Sequence, residues 1–448
     1  MNNNNYTPSE NIIDYPLWEN INKSLILDTD NIQQFDEIFP IDKIENGVHW
    51  SAASGGGKTE GIKILCIRLV LKQDGSIVIF DPHGDLAQQL AKRMDNKKDI
   101  IYIDPSLENG ITPTINPFRT KSDISIMSQE IFNALESIVG TDFTPNMEVL
   151  LMPCIYVLLK KGDSGIDELS RFMDDDRNED LIALGLKSEI AIYREFFKYQ
   201  FKKSKFDVTK NALETKIQLL LNNPIFYNFV TGKSTLDLAK ALNTKGKIII
   251  FRFPKNKMRK TLEPAAKLVM AAIQGIVFQR ADIPIKALRP KTYLILDEFQ
   301  NFTNSTLKEM LVESRKNHLS VVCSNQHLSQ LDTQTRDAVL SSNIKIVGKN
   351  SIKDLKVMSE EIDVDLKSLK SLEKGEFYIK VGSNPAVRFR TTDKFIDNNH
   401  SISDKLWEKH LKYQKKHYYK NIIIDEVDTN PSITENSNVL PTPKFDID

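Results

Sequence analysis

"SAASGGGKTEG", residues 51–61, nearly matches the phosphate-binding loop pattern of Gly, any four residues, Gly, Lys and Ser or Thr. Gly57, Lys58 and Thr59 match the end of that pattern, whereas Ala52 stands where its first glycine belongs. The loop lies between a short predicted strand and a predicted helix (GIKILCIRLVLKQ), which is the context that such a loop requires. We therefore predict a nucleotide site here and interpret Ala52 as a tolerated small residue at the strand exit.

The chemistry of this loop would come from its backbone and from two side chains. Successive glycines allow positive φ, so backbone N–H groups can turn inward around an anion, and the helix N-terminus adds positive potential. Lys58 would reach the β- and γ-phosphates, and the Thr59 hydroxyl would ligate Mg²⁺. The alternative is a flexible glycine-rich turn. The predicted nucleotide-binding residues are Ser54, Gly55, Gly56, Gly57, Lys58, Thr59, Glu60 and Asp81.

Asp81 belongs to a second stretch, "IFDPHGD" (79–85), in which an acid ends a predicted strand beside the proposed site. A third stretch, "YLILDEFQNF" (293–302), has the form of a buried strand followed by two acids. Asp297 would hold Mg²⁺ together with Thr59, and Glu298 would polarise the attacking water. The alternative for each stretch is an ordinary strand that ends in an acidic loop.

Two further residues complete the predicted catalytic set. Gln326 ends the strand in "SVVCSNQ" (320–326) and suits a sensor of the γ-phosphate, although a simple strand-end turn is the alternative. Arg315 in "ESRKN" (313–317) would serve as an arginine finger for the nucleotide of a neighbouring subunit. A solvated arginine near a helix C-terminus is the competing interpretation, and Arg336 in "TRDAV" is the rival finger.

Composition excludes several classes of protein. The 448-residue chain is too long for one core, and its formal net charge of zero excludes a uniformly basic coat. Its three cysteines are widely spaced and match no zinc or disulfide framework. We find no uninterrupted apolar run of membrane-spanning length and no signal peptide. We therefore expect a cytoplasmic protein that reaches the inner face of a membrane only through a partner.

The hydrophobic pattern changes twice along the chain. Short apolar runs alternate with helical patterns, which predicts an α/β fold with a parallel sheet. This α/β pattern occurs in an early part and in a late part of the chain. Between them, apolar residues recur at helical spacing only, which indicates an all-helical insertion. The predicted divisions are a polar arm (1–45), a first ATPase part (46–120), the insertion (121–240), a second ATPase part (241–400), and a basic helix with a disordered acidic tail (401–448).

Three basic runs could contact nucleic acid without reading its sequence. They are "KYQFKKSKF" (198–206), "RFPKNKMRK" (252–260) and "KHLKYQKKHYYK" (409–420). A solvated face is the alternative for each of them. The run at 252–260 is the strongest candidate for a DNA-facing loop, because it leaves a strand of the predicted nucleotide-binding sheet.

From about 46 to 420 the chain resembles the type IV secretion coupling-protein branch of the HerA–FtsK superfamily, which are ring-forming DNA-translocating ATPases. The resemblance rests on the Gly-Lys-Thr loop, "IFDPHGDLAQQL", "GKIIIFRFPK", "YLILDEFQNF", "ESRKNHLSVVCSNQHLSQL" and "TRDAV". It implies a RecA-like P-loop ATPase domain with an all-α domain inserted between the Walker A and Walker B motifs. It also implies nucleotide-binding roles for Lys58 and Thr59, Mg²⁺ and catalytic roles for Asp297 and Glu298, a sensor role for Gln326 and a finger role for Arg315.

The resemblance further implies ATP and Mg²⁺ as cofactors, DNA as the substrate, a ring that is a hexamer, and a relaxase and a type IV secretion channel as partners. Two features depart from the family. Many coupling proteins carry N-terminal transmembrane helices, and this sequence shows none. Ala52 also replaces the first glycine of the loop. Three alternatives stay open: a HerA-like DNA-processing translocase, a protein-handling secretion ATPase, and a non-hydrolysing nucleotide-dependent scaffold.

Overall fold

The fold is α/β, as the sequence predicts, with helices on both faces of one nine-stranded sheet. The predicted arm and acidic tail fall mostly on residues 1–38 and 423–448, which lie outside the described residues. The computed structural model describes residues 39–93, 99–302, 307, 310–311, 314–391 and 402–422.

The described strands are β1 Val48–Ser51, β2 Gly75–Asp81, β3 Ile100–Ile103, β4 Ile111–Thr112, β5 Ile248–Arg252, β6 Lys291–Leu296, β7 Leu319–Asn325, β8 Ile344–Gly348, β9 Glu376–Val381, β10 Val387–Arg390 and β11 Lys420–Asn421. The strand order of the sheet is β10-β9-β8-β1-β7-β6-β2-β5-β3. Its seven-strand main part is parallel, and β9 and β10 add an antiparallel edge. The short strands β4 and β11 form a separate pair.

Strand register brings the predicted motifs to one edge of the sheet. Ser51 at the end of β1 pairs with Asn325 at the end of β7. Two residues earlier on β7, Cys323 pairs with Leu296, the last residue of β6, and Leu296 pairs with Phe80 on β2. The segments that follow these four strands therefore leave the sheet side by side.

Every described element between β4 and β5 is helical. One helix of this segment, α3 (Ile124–Val139), packs along α12 (Leu262–Phe278), which lies after β5. The helical segment and one face of the sheet therefore share a hydrophobic core. The bounds are α1 Lys58–Lys72, α2 Asp85–Arg93, α3 Ile124–Val139, α4 Pro145–Lys161, α5 Ile166–Met173, α6 Glu179–Gly185, α7 Ala191–Tyr199, α8 Asp207–Leu221, α9 Pro224–Val230, α10 Leu238–Leu242, α11 Lys255–Met258, α12 Leu262–Phe278, α13 Thr333–Leu340, α14 Ile352–Ile362, α15 Leu366–Lys370 and α16 Asp404–Tyr418.

One helical stretch, Lys255–Asp282, has the length and average apolarity of a membrane span. Sequence inspection did not select it, because Lys267 and Gln274 interrupt the apolar residues. In the structure 89% of its most apolar window is buried within the fold, and Lys267 and Gln274 are buried as well. This burial is characteristic of a core helix.

The basic amphipathic pattern near the C-terminus falls on α16, whose buried face covers the edge strand β3. The Gln414 amide donates to the carbonyl oxygen of Ile100 (2.8 Å) and accepts from the backbone N–H of Tyr102 (3.0 Å). Trp407 packs edge-on against the ring of Tyr102. A side chain thus completes the backbone hydrogen bonds of an exposed sheet edge, which blocks pairing with another chain.

Candidate nucleotide site

The glycine-rich loop connects β1 to α1 with the backbone geometry of an anion site. Gly55 and Gly57 have φ of +74° and +94°, a region that residues with a Cβ rarely adopt. The backbone N–H groups of Gly57, Lys58 and Thr59 make no hydrogen bond within the described part of the chain. They lie at the start of a 15-residue helix, where unpaired N–H groups and the helix dipole favour an anion.

The Lys58 ammonium lies between two carboxylates that follow β6. Its Nζ donates to Glu298 Oε1 at 2.7 Å and is 3.5 Å from Asp297 Oδ1. All three side chains are about 5% exposed, so solvent screens this cluster weakly. The sheet order thus brings together groups that are 240 positions apart in the sequence.

Glu298 sits at the centre of this polar cluster. Its backbone has φ of +52°, which is uncommon for a residue with a side chain and is often found at functional sites. Oε1 also accepts from Gln326 Nε2 at 2.9 Å, and Oε2 accepts from Gln300 Nε2 at 2.6 Å. Burial raises the pKa of this carboxyl, but the Lys58 charge and the donated hydrogen bonds outweigh burial, so the pKa lies below its ordinary value. Glu298 is therefore ionised at neutral pH.

Asp297 is held by a residue that the sequence analysis did not select. Ser324 Oγ on β7 donates to Asp297 Oδ1 at 2.7 Å. Ser324 lies two positions before Gln326, which the sequence predicts at the end of the same strand and which directly follows β7 in the structure. Residues two apart on a strand share a face. The two-residue repeat of a strand could therefore have indicated that Ser324 faces the site, although it does not identify Asp297 as the hydrogen-bond partner of Ser324.

Asp81 lies beside the cluster and its carboxylate is already bonded to backbone. Oδ1 accepts from the N–H groups of His83 and Gly84, and Oδ2 accepts from that of Ala87. Burial is the largest influence on this carboxyl and raises its pKa. Asp81 therefore stabilises the first turn of α2, a structural role that the sequence analysis did not anticipate.

These residues surround a cavity of about 720 Å³. Every residue predicted to bind nucleotide or Mg²⁺ lines it, as do Glu298 and Gln326. Arg315 lies in the short 3₁₀ helix Ser314–Asn317, and its side chain falls outside the described residues. Arg336, the rival finger, lies on α13 and is not among the lining residues. The lining residues are Ala53, Ser54, Gly55, Gly56, Gly57, Lys58, Thr59, Glu60, Lys63, Asp81, His83, Asp85, Leu86, Gln89, Asp297, Glu298, Gln326, Lys374, Gly375 and Thr391.

The last three lining residues form a wall that sequence reasoning missed. Gly375 N–H donates to the carbonyl oxygen of Gly56 at 2.9 Å, and Thr391 N–H donates to the carbonyl oxygen of Gly375 at 2.8 Å. No motif marks these residues, because they reach the glycine-rich loop only through the antiparallel edge formed by β9 and β10.

Ala52 causes no distortion of the loop. It is fully buried, its φ is not positive, and its N–H donates to the carbonyl oxygen of Asn325 at 3.2 Å. Position 348 on the neighbouring strand β8 is glycine, and a Cβ there would lie 2.9 Å from the Ala52 methyl. The Ala52 methyl therefore occupies space that Gly348 leaves open. Ala52 can replace the first glycine of the phosphate-binding loop pattern without a steric clash.

This packing predicts the effect of restoring the glycine. Ala52→Gly should lower the free energy of unfolding by about 1 kcal/mol, because it removes a buried methyl and adds backbone freedom. ATP affinity should stay unchanged, since the Ala52 N–H is bonded to Asn325 and not directed at phosphate. Denaturant unfolding and a nucleotide titration measure the two effects. A several-fold gain in ATP affinity would contradict the packing explanation.

Comparisons with known proteins show the family and the fold of this chain. The family model described as "Helicase HerA, central domain" matches residues 51–277, just over half of the chain. The chain therefore belongs to the family of the HerA helicase central domain. The predicted resemblance to the HerA–FtsK superfamily is confirmed by this family match.

Two solved structures share the fold of this chain at low sequence identity. The bacterial conjugative coupling protein TrwB, lacking its N-terminal 70 residues, is 18% identical with a TM-score of 0.59, over 79% of this chain and 86% of that one. VirB4 of Thermoanaerobacter pseudethanolicus is 15% identical with a TM-score of 0.53, over 77% and 89%. The predicted RecA-like P-loop fold is thereby confirmed. No curated protein sequence matches this chain.

Proposed function

We propose that this protein is an ATPase that uses Mg²⁺-ATP hydrolysis to move DNA, as a ring of identical subunits. The observation that supports this most directly is the convergence of Lys58, Asp297, Glu298 and Gln326 at the start of α1. The first N–H groups of that helix have no hydrogen-bond acceptor among the described residues. Phosphoryl-transfer enzymes need these parts together: a lysine for the phosphates, a carboxylate for Mg²⁺, and a base that orients water. TrwB, which has the same fold, has been solved with ADP and Mg²⁺ and with ATP and GTP analogues.

The residues present fit a magnesium ion that arrives with the nucleotide. No group of three or more His, Cys, Asp or Glu side chains among the described residues could form a metal cage by itself. Thr59 and Asp297 would instead provide two oxygens, and phosphates and water the rest, which is the usual mode for Mg²⁺. The ion would neutralise charge that develops on the transferred phosphoryl group.

Nucleotide binding would rearrange the Lys58 contacts. In the structure the ammonium is paired with Glu298, the residue proposed as the base. A phosphate that attracts Lys58 would leave Glu298 with its Gln300 and Gln326 donors, free to accept a proton from water. Gln326 would then report the presence of the γ-phosphate to β7.

The proposed DNA contact is the basic segment 252–260. Phe253 N–H donates to the carbonyl oxygen of Asp81, and Lys255 N–H to that of Pro82, so this segment is bonded to the wall of the nucleotide cavity. Phe253 and Met258 are buried and fix its ends. Lys255, Arg259 and Lys260 are exposed and make no ion pair within the described part of the chain. A change in the cavity wall on nucleotide binding would move these exposed cations, which suits a segment that contacts the phosphates of DNA.

Assembly and partners are proposed from the family resemblance. A hexamer would place Arg315 of one subunit at the nucleotide of the next, and Arg336 remains its rival. The helical segment 121–240 would dock a relaxase or accessory protein, and a type IV secretion channel would provide the link to the membrane.

DNA-stimulated ATP hydrolysis tests this function. We expect single- or double-stranded DNA to raise the rate of phosphate release from ATP. Lys255→Ala combined with Lys260→Ala should remove the stimulation and keep the basal rate, because these lysines lie outside the cavity. The slope of log affinity for DNA against log salt concentration should become shallower by about two, because two phosphate contacts are removed.

A matched pair on α16, Lys409→Ala with Lys412→Ala, is the control and should retain full stimulation. If only the α16 pair loses stimulation, the DNA path runs over that helix instead. If neither single- nor double-stranded DNA changes the rate of ATP hydrolysis, the protein-handling alternative is favoured. Nucleotide binding without any hydrolysis would favour the scaffold.

A further inference from the structure

The turn between α15 and β9 is fixed to the glycine-rich loop. Besides the Gly375–Gly56 hydrogen bond, the two segments approach so closely that a Cβ at Gly57 would lie 2.9 Å from Gly375 Cα. Gly375 itself has φ of +81°. Gly57 therefore needs glycine for conformation and for space, and Gly375 needs it for conformation.

Aromatic packing holds this turn from behind. Phe377, two residues after Gly375, packs edge-on against Trp50 of β1 at 5.3 Å and stacks on Phe389 of β10 at 5.4 Å between ring centroids. The ring of Trp50 occupies the space where a Cβ of Gly61 would lie, in the first turns of α1. All three rings are buried, so the edge β9–β10, the loop and α1 form one packed unit.

Among the described lysines that line the cavity, one has no ion-pair partner in the described residues. Of the three lysines among the described lining residues, Lys58 is paired with Glu298 and Lys63 with Glu60. Lys374 is exposed and makes no ion pair within the described part of the chain. Its neighbour Glu373 is 3.6 Å from Arg390, so it does not neutralise Lys374. The cavity also carries five carboxylates, which would repel a nucleoside triphosphate.

We propose that Lys374 binds the phosphate chain of the nucleotide in its own subunit, as a second cation beside Lys58. The turn that carries it is bonded to the backbone of Gly56, one residue before the unpaired N–H groups at the start of α1. Gly375 and Thr391 position the turn, and Lys374 provides the charge. The nucleotide site is then built from both ends of the ATPase fold, and binding ties the edge β9–β10 to the loop. This inference rests on the proposed function, because it assumes that the cavity holds ATP.

Equilibrium titration with a fluorescent N-methylanthraniloyl-ATP, and competition by unlabelled ATP, tests this role without hydrolysis. Lys374→Ala should weaken ATP binding by about tenfold, the size expected for one charge-assisted hydrogen bond. Lys374→Arg should restore most of the affinity. The loss should shrink as ionic strength rises, because the contact lies at an exposed rim. Lys374→Gln, which keeps most of the length, should behave like the alanine variant.

Lys370→Ala is the matched control, since this exposed lysine lies on α15 and does not line the cavity. It should bind ATP like the unaltered protein. Lys58→Ala, measured in the same way, separates the two hypotheses. If Lys58→Ala weakens binding and Lys374→Ala does not, the role of Lys374 is refuted and the nucleotide site stands. If the unaltered protein does not bind ATP, both are refuted.

Discussion

Lys58→Ala is expected to abolish ATP hydrolysis and to weaken ATP binding. The lysine is the cation nearest to the start of α1, and loss of one preorganised group that contacts developing charge usually lowers kcat by about 10²- to 10³-fold. The variant also leaves Asp297 and Glu298 without the cation that lies between them. A coupled phosphate-release assay and a nucleotide titration measure the two effects.

The same variant should be less stable at neutral pH. Lys58 contributes to the lowered pKa of Glu298, and a carboxyl whose pKa is lowered by folding stabilises the protein above its unfolded pKa. That stabilisation disappears as pH falls through the folded pKa, so the difference between variant and unaltered protein should shrink in acid. Lys72→Ala at the other end of α1, where the lysine pairs with Asp42, is the control and should keep full activity. Unchanged hydrolysis in Lys58→Ala would refute the site.

Glu298→Gln should stop hydrolysis and preserve or strengthen ATP binding. Glutamine keeps the shape of the side chain but cannot act as a base, and general-base catalysis contributes about 10²- to 10⁴-fold. The change also removes the negative charge that competes with phosphate for Lys58 at 2.7 Å. Single-turnover hydrolysis and a binding titration separate these effects.

The pH dependence gives an independent check on Glu298. Its lowered pKa places the acid limb of kcat/KM, which reports the free enzyme, below the ordinary range of a glutamate. When phosphate attracts Lys58, one cause of the lowering weakens, so the acid limb of kcat should lie at higher pH. Glu168→Gln, which removes a carboxylate paired with Lys161 on the helical segment, should change neither limb. An active Glu298→Gln variant would show that another group is the base.

The candidate site could be predicted from the sequence where a motif is local. The loop 51–61, the strand that ends at Leu296 and the strand that ends at Asn325 each carry their own apolar run and polar end. A parallel sheet then places such ends at one edge, which is why Lys58, Asp297, Glu298 and Gln326 could be predicted to meet. Ser324 was missed because its importance depends on the partner that strand order gives it.

The alternation of strands and helices, the position of the glycine-rich loop and the helical character of the segment before β5 can be read from the sequence alone. These follow from hydrophobic periodicity and glycine placement, which act between residues close in the chain. Three contacts come from the tertiary structure alone: Lys58 pairs with Glu298, Gly348 makes room for Ala52, and the turn at Lys374–Gly375 lines the cavity. Each of these contacts depends on strand order and on the antiparallel edge β9–β10. Local patterns do not specify that order, because it arises from packing between residues far apart in the chain.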